Sequence, residues 1–197
     1  MIIYFYVFVE NILINNSFNL YFLYIHISYM TPQTTKIDSE LADRLNKHIN
    51  MELKAFYFYM NAANYFNQHN IAFHNVAKFF ENQYNEEKEH AEILQKYLIS
   101  RFGKLQLDDL KKPNSNFSSI LDCMKLALIL EQEVYSSLLE LHTFASDKND
   151  PHLTDLIEGT FLEEQVTSIK EINDYIINLE RVGIGLGEYL FDKNLIQ

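Results

Sequence analysis

Four long stretches of this chain contain almost nothing that stops a helix. Residues 38–68, 71–101 and 118–146 hold neither Gly nor Pro, and 151–181 holds only Pro151 at its head and Gly159 inside. The chain of 197 residues has 5 Gly and 3 Pro against 48% apolar residues, a balance that favours long helices over strands. Apolar side chains recur in each stretch at the spacing of one helix face. The first row is Leu45, Ile49, Glu52, Phe56, Tyr59, Ala63, Phe66, and the second is Ala77, Phe80, Tyr84, Glu87, Ala91, Leu94, Leu98. The third is Leu121, Met124, Leu128, Glu131, Tyr135, Leu138, His142, and the fourth is Leu162, Gln165, Ile169, Ile172, Ile176, Leu179. The class expected is all-α.

Local signals bound these helices. Asp38 or Ser39 caps the first, which ends at the turn Gln68-His69-Asn70; the second runs from about Ile71 to Arg101, with Gly103 at a natural C′ position. Ser118 or Ser119 caps the third, which runs to about Ser146. Asp150-Pro151 starts the fourth, and Gly183, Gly185 and Gly187 end it near Arg181. A short helix from Glu188 to about Leu195 needs docking to be stable. The link Lys104–Ser118 lacks apolar periodicity and is long for a compact domain. A link of that reach can run along a bundle and join two helices pointing the same way, the long crossover of some four-helix bundles.

Each row is broken by one polar side chain near its middle: Glu52, Glu87, Glu131 and Gln165. His90 follows Glu87 by three residues on nearly the same face. Three buried carboxylates close together are costly through desolvation and mutual repulsion, and divalent cations relieve both. Glu-x-x-His on a bundle helix is a di-metal signature. Carboxylates with one imidazole suit iron or manganese. Glu52, Glu87 and His90 make the fuller site. Glu131 and Gln165, sharing Glu87, make a weaker one with open positions for dioxygen.

Other chemistries fit less well. The net charge of −11 argues against nucleic acid or an anionic membrane as partner. Cys123 is the single cysteine, so no internal disulfide forms, and its apolar neighbours point to a buried thiol. Gly183-x-Gly185-x-Gly187 has no preceding strand, as a nucleotide loop requires. Pro151 and His152 spoil a calcium-loop reading of Asp147 to Glu158. A di-iron oxygenase would want a second Glu-x-x-His, where this chain reads Glu164-Gln165-Val166-Thr167-Ser168. Residues 1–29, apolar with no Lys or Arg and one acid, Glu10, have neither the layout of an export signal nor an unbroken membrane span. They are read as an extension outside the fold, followed by a polar leader over 30–37 and the folded domain over 38–197. A start at Met30 implies the cytoplasm; an export signal would imply a secreted or vesicular protein.

Several strings then carry a resemblance: Ile49-Asn50-Met51-Glu52-Leu53, Glu86-Glu87-Lys88-Glu89-His90-Ala91-Glu92, Leu110-Lys111-Lys112-Pro113, Ser137-Leu138-Leu139-Glu140-Leu141-His142, Asp147-Lys148-Asn149-Asp150-Pro151-His152-Leu153, Glu164-Gln165-Val166 and Glu188-Tyr189-Leu190-Phe191-Asp192-Lys193. From about Ile37 to Leu195 the chain resembles the ferritins of the animal heavy-chain type. The resemblance implies a ferritin-like four-helix bundle with a long crossover between the second and third helices and a short fifth C-terminal helix. It implies twenty-four subunits in a hollow shell, alone or mixed with other ferritin subunits, and no membrane. It implies that Fe(II) is oxidised by dioxygen at a di-iron centre and stored as ferric mineral.

By the same resemblance, Glu52, Glu87 and His90 hold the first iron with Glu87 bridging. Glu131 completes the second site, Gln165 lies beside it, and Tyr59 stands next to the centre. Glu86 is associated with iron leaving the centre, and Glu86, Glu89 and Glu92 face the cavity. Asp155 and Glu158 line an inlet channel with His152 at its mouth, and the helix around Leu190 packs about a four-fold axis. Asn82 and Asn85 stand where heavy chains often have histidines. The competing expectation is a non-catalytic iron-storage or yolk-type subunit, which predicts lost ligands.

Overall fold

The computed structural model describes residues 35–113 and 116–195, so the readings for residues 1–29 and for most of the leader lie outside the described residues. α1 spans Ser39–Phe66, α2 His74–Ser100 and α3 Ile120–Asp147. α4 spans Pro151–Leu156 and continues through a π-helical segment, Ile157–Leu162, into α5, Glu163–Val182. α6 spans Leu186–Asn194. No strand occurs among the described residues. The result is a helical bundle in which α1 packs chiefly on α2, and α3 on α5, with a short C-terminal helix.

Three of the long helices start where a nearby side chain caps them. Asp38 accepts from the backbone of Glu40 and Leu41 at 3.0 and 3.1 Å, Ser119 from Asp122 at 3.0 Å, and Asp150 from Leu153 at 3.1 Å with Pro151 in the first turn. α2 has no side-chain cap of its own. Asp192 of α6 does that work: its Oδ1 accepts from the N–H groups of Asn75 and Val76 at 2.9 and 3.0 Å. Glu188, also on α6, accepts from the N–H of Ile120 at 3.1 Å. α6 thus seals the starts of α2 and α3. At the far end of α2, Phe102 takes the left-handed conformation (φ 57), and Gly103 donates to Leu98 O at 2.9 Å. Gly103 is needed for close approach, since a Cβ there would sit 2.9 Å from that carbonyl.

The link after α2 is held by two asparagines that act as a strand would. Asn46 accepts from the N–H of Gln106 at 2.8 Å and donates to Lys104 O at 2.9 Å. One turn later Asn50 accepts from the N–H of Asp108 and donates to Gln106 O, both at 2.9 Å. The link then reaches Phe117, which stacks on Phe66 near the other end of α1. It therefore runs along α1, and α2 and α3 begin at the same end.

The core falls into two apolar clusters. One holds Tyr59, Phe66, Phe80, Met124 and Ile172; the other holds Leu41, Ile49, Leu94, Leu138, Leu153 and Phe161. Between them on every long helix lies a buried polar side chain: Glu52, Glu87, Glu131 or Gln165. The row expected for α3 holds in part: Met124, Glu131 and Leu138 are buried, but the buried face leans to one side of the row. Its buried face runs through Ile120, Cys123, Ala127, Leu130, Val134 and Leu141, whereas Leu121, Leu128, Tyr135 and His142 are half-buried. Both flanks of that helix are apolar, so periodicity alone did not separate them. Phe56 and Tyr84 are also half-buried and meet edge to face, with centroids 6.0 Å apart.

Candidate metal centre

The centre is built from the four interruptions. Glu52, Glu87 and His90 are buried, and one ligand atom of each lies within 4.8 Å of the others. Glu52 Oε2 and Glu87 Oε2 are buried without a hydrogen-bond partner. Orphaned carboxylate oxygens beside an imidazole are rare in a folded core and fit a divalent cation. Burial, then the neighbouring Glu52 charge, pushes the Glu87 carboxyl well above the usual range; Glu52 is raised chiefly by burial.

Glu131 is different. The Tyr59 hydroxyl donates to its Oε1, and the Gln165 amide donates to its Oε2 and, at 3.2 Å, to its backbone carbonyl. It lies outside the mutual group of Glu52, Glu87 and His90. Burial, followed by the Glu87 charge, lifts its carboxyl to about 7. Burial and the same two carboxylates raise the Tyr59 phenol well above its usual value, so it stays a donor.

His90 has a partner that the sequence analysis did not name. Its Nε2 is 2.7 Å from Glu164 Oε2, while Nδ1 is 3.5 Å from Glu87 Oε2. Burial opposes its charge, but the Glu164 and Glu87 carboxylates outweigh burial and push it up to about 11. A second group, Glu86, His90 and Glu164, meets the same 4.8 Å spacing. His90 therefore stands between the buried centre and a more exposed carboxylate pair. Burial and the Glu164 charge raise Glu86. A second unnamed residue is His48, fully buried one turn before Glu52. Its Nε2 is 2.8 Å from Glu52 Oε1, and its Nδ1 is 3.0 Å from Ser137 Oγ. Burial holds it down at about 4, so it is neutral. The signals were available: His48 precedes Glu52 by four residues, one helical turn, and Glu164 adjoins Gln165.

The remaining expected residues sit elsewhere. Glu89 is exposed, and Glu92 lies 3.7 Å from Lys88 and 3.4 Å from Lys96. Asp155 is exposed on α4. Glu158, on the π-helical segment, meets His142 Nε2 at 2.6 Å. The His152 ring is 5.3 Å from that of Tyr97. Asn82 and Asn85 are exposed. Cys123 is a buried free thiol. No helix among the described residues is long and apolar enough to cross a membrane.

A ferritin-like domain model matches residues 42–182. The chain is also similar to the soma ferritin of Lymnaea stagnalis, with 48% identity over 153 residues, 77% of this chain and 88% of that protein. The domain model's span includes all five polar side chains of the centre, and on these two matches the chain belongs to the ferritin family.

Proposed function

We propose that this protein stores iron and oxidises it, with Fe(II) as substrate and dioxygen as electron acceptor. The observation that carries the reading is the pair of buried oxygens of Glu52 and Glu87 that make no hydrogen bond, beside His90. In this reading Glu52, Glu87 and His90 take one Fe(II), with Glu87 shared, and Glu131 takes a second. Tyr59 and Gln165 orient the Glu131 carboxylate. The acids would hold the ions, and their negative charge would balance the extra positive charge left as each Fe(II) gives one electron to dioxygen. Glu86 and Glu164 lead product outward, and Glu89 and Glu92 receive it on the cavity side. Asp155 and Glu158, with His152 beside them, would gather Fe(II) at an inlet between subunits, since a ring of carboxylates concentrates cations.

The reading includes self-assembly into a hollow shell of twenty-four copies, alone or mixed with related subunits. Large apolar side chains left exposed near the C-terminus, Ile184, Leu186, Tyr189 and Leu190, support a further packing partner. The test of the chemistry is aerobic Fe(II) oxidation followed optically. Replacing Glu87 and His90 by Ala is expected to slow it by about 100-fold or more, since outer-shell changes alone cost 10–100-fold. A wild type no faster than the double variant would leave a storage subunit without catalysis.

A further inference from the structure

His48 has no part in the reading above, yet it touches the centre. Its imidazole is fully buried and fixed at both nitrogens' distances: Nδ1 to Ser137 Oγ across to α3, and Nε2 to Glu52 Oε1. The Nε2 contact is short but lies off the hydrogen-bond direction, so that nitrogen has no hydrogen-bond partner. Buried nitrogens of this kind are rarely left so. Glu52 has the matching asymmetry, with Oε1 against the imidazole and Oε2 orphaned. His48 touches Glu52 Oε1 but does not join the mutual 4.8 Å group of Glu52, Glu87 and His90, so it is not one of that set of clustered ligand atoms.

We infer that His48 is a positioning residue for Glu52, holding Oε1 so that Oε2 is presented to the metal. In the tautomer this role requires, the Ser137 hydroxyl donates to Nδ1 and the ring proton sits on Nε2. A turn about the last torsion of Glu52, a soft rotation, would bring Oε1 into line with the Nε2–H. Outer hydrogen bonds of this type orient metal-binding side chains and strengthen their hold.

The inference rests on the metal-centre reading, and binding measurements separate the two. The probe is Co(II), titrated without oxygen into the iron-free assembled protein and followed by its visible absorption. Glu52→Ala is expected to abolish the tight class of Co(II). His48→Leu is expected to weaken that class by about 10- to 100-fold while keeping its band pattern, because the ligand atoms are unchanged. His48→Gln, which keeps a donor, restores most of the affinity. Ser137→Ala gives a smaller loss in the same class and serves where His48→Leu does not assemble. Unchanged Co(II) affinity in both His48→Leu and Ser137→Ala overturns the positioning role. So does a band shift in His48→Leu matching that of His90→Ala, which would make His48 a ligand. If Glu52→Ala binds Co(II) like the wild type, the metal-centre reading falls and the positioning role with it. If the wild type binds Co(II) through His48-dependent Glu52 but does not oxidise Fe(II), only the catalytic reading falls.

Discussion

Glu52 and Glu131 are the same residue type in the same buried layer, yet their neighbours differ. Glu131 has both oxygens occupied by donors, whereas Glu52 Oε2 has none. Burial still lifts Glu131 from 4.5 to about 7. Between those values the folded protein keeps a proton that the unfolded chain has released. Stability of the metal-free protein therefore falls as pH rises through that window, and the loss is complete above about 7. Glu131→Gln should remove this part of the slope, about 3 kcal/mol, read by urea unfolding at about pH 5 and about pH 8. A variant with the wild-type slope would show that Glu131 ionises in the fold as it does in water. Residues of this kind were visible in the sequence because each breaks an apolar row. His48 and Glu164 were missed for the opposite reason. A histidine one turn from Glu52, or an acid next to Gln165, disturbs no pattern, and only the fold shows what it faces.

At the scale of elements, helix starts were legible where the cap is local. Asp38, Ser119 and Asp150 lie within a few residues of the groups they satisfy. The start of α2 was placed near Ile71 and is found at His74, because its cap is Asp192, 117 positions away from Asn75. No local signal marks such a partner. Asp192→Ala should cost about 1–2 kcal/mol, the usual worth of an N-cap, and Asp192→Asn much less, measured by chemical denaturation. Equal stability of the two variants would show that the bond contributes little. The π-helical segment was also unexpected. Leu153, Ile157, Phe161 and Gln165 are all buried at steps of four residues. An α-helix turns in 3.6 residues, so repeated steps of four drift off one face. The wider turn over Ile157–Leu162 absorbs the drift and brings Gln165 to Glu131.

On the scale of the whole molecule, the layered bundle and its long crossover follow from apolar rows, caps and link length, all of them local or periodic properties. In the proposed shell another copy covers the exposed apolar side chains of the C-terminal segment, which one chain's periodicity does not reveal. Leu190→Glu combined with Ile184→Glu should shift the protein to smaller species in analytical ultracentrifugation while leaving its helix content intact. Retention of the full-size assembly would show that these side chains are not contacts between copies. The two apolar clusters carry a different consequence. Because a polar layer divides them, the halves of the bundle have separate reasons to stay closed. Without a cation the layer holds like charges and proton-sharing acids, so backbone amides on the two sides should exchange with solvent at distinct rates. In the proposed metal-bound protein a divalent ion would neutralise that layer, and the two halves would then open together.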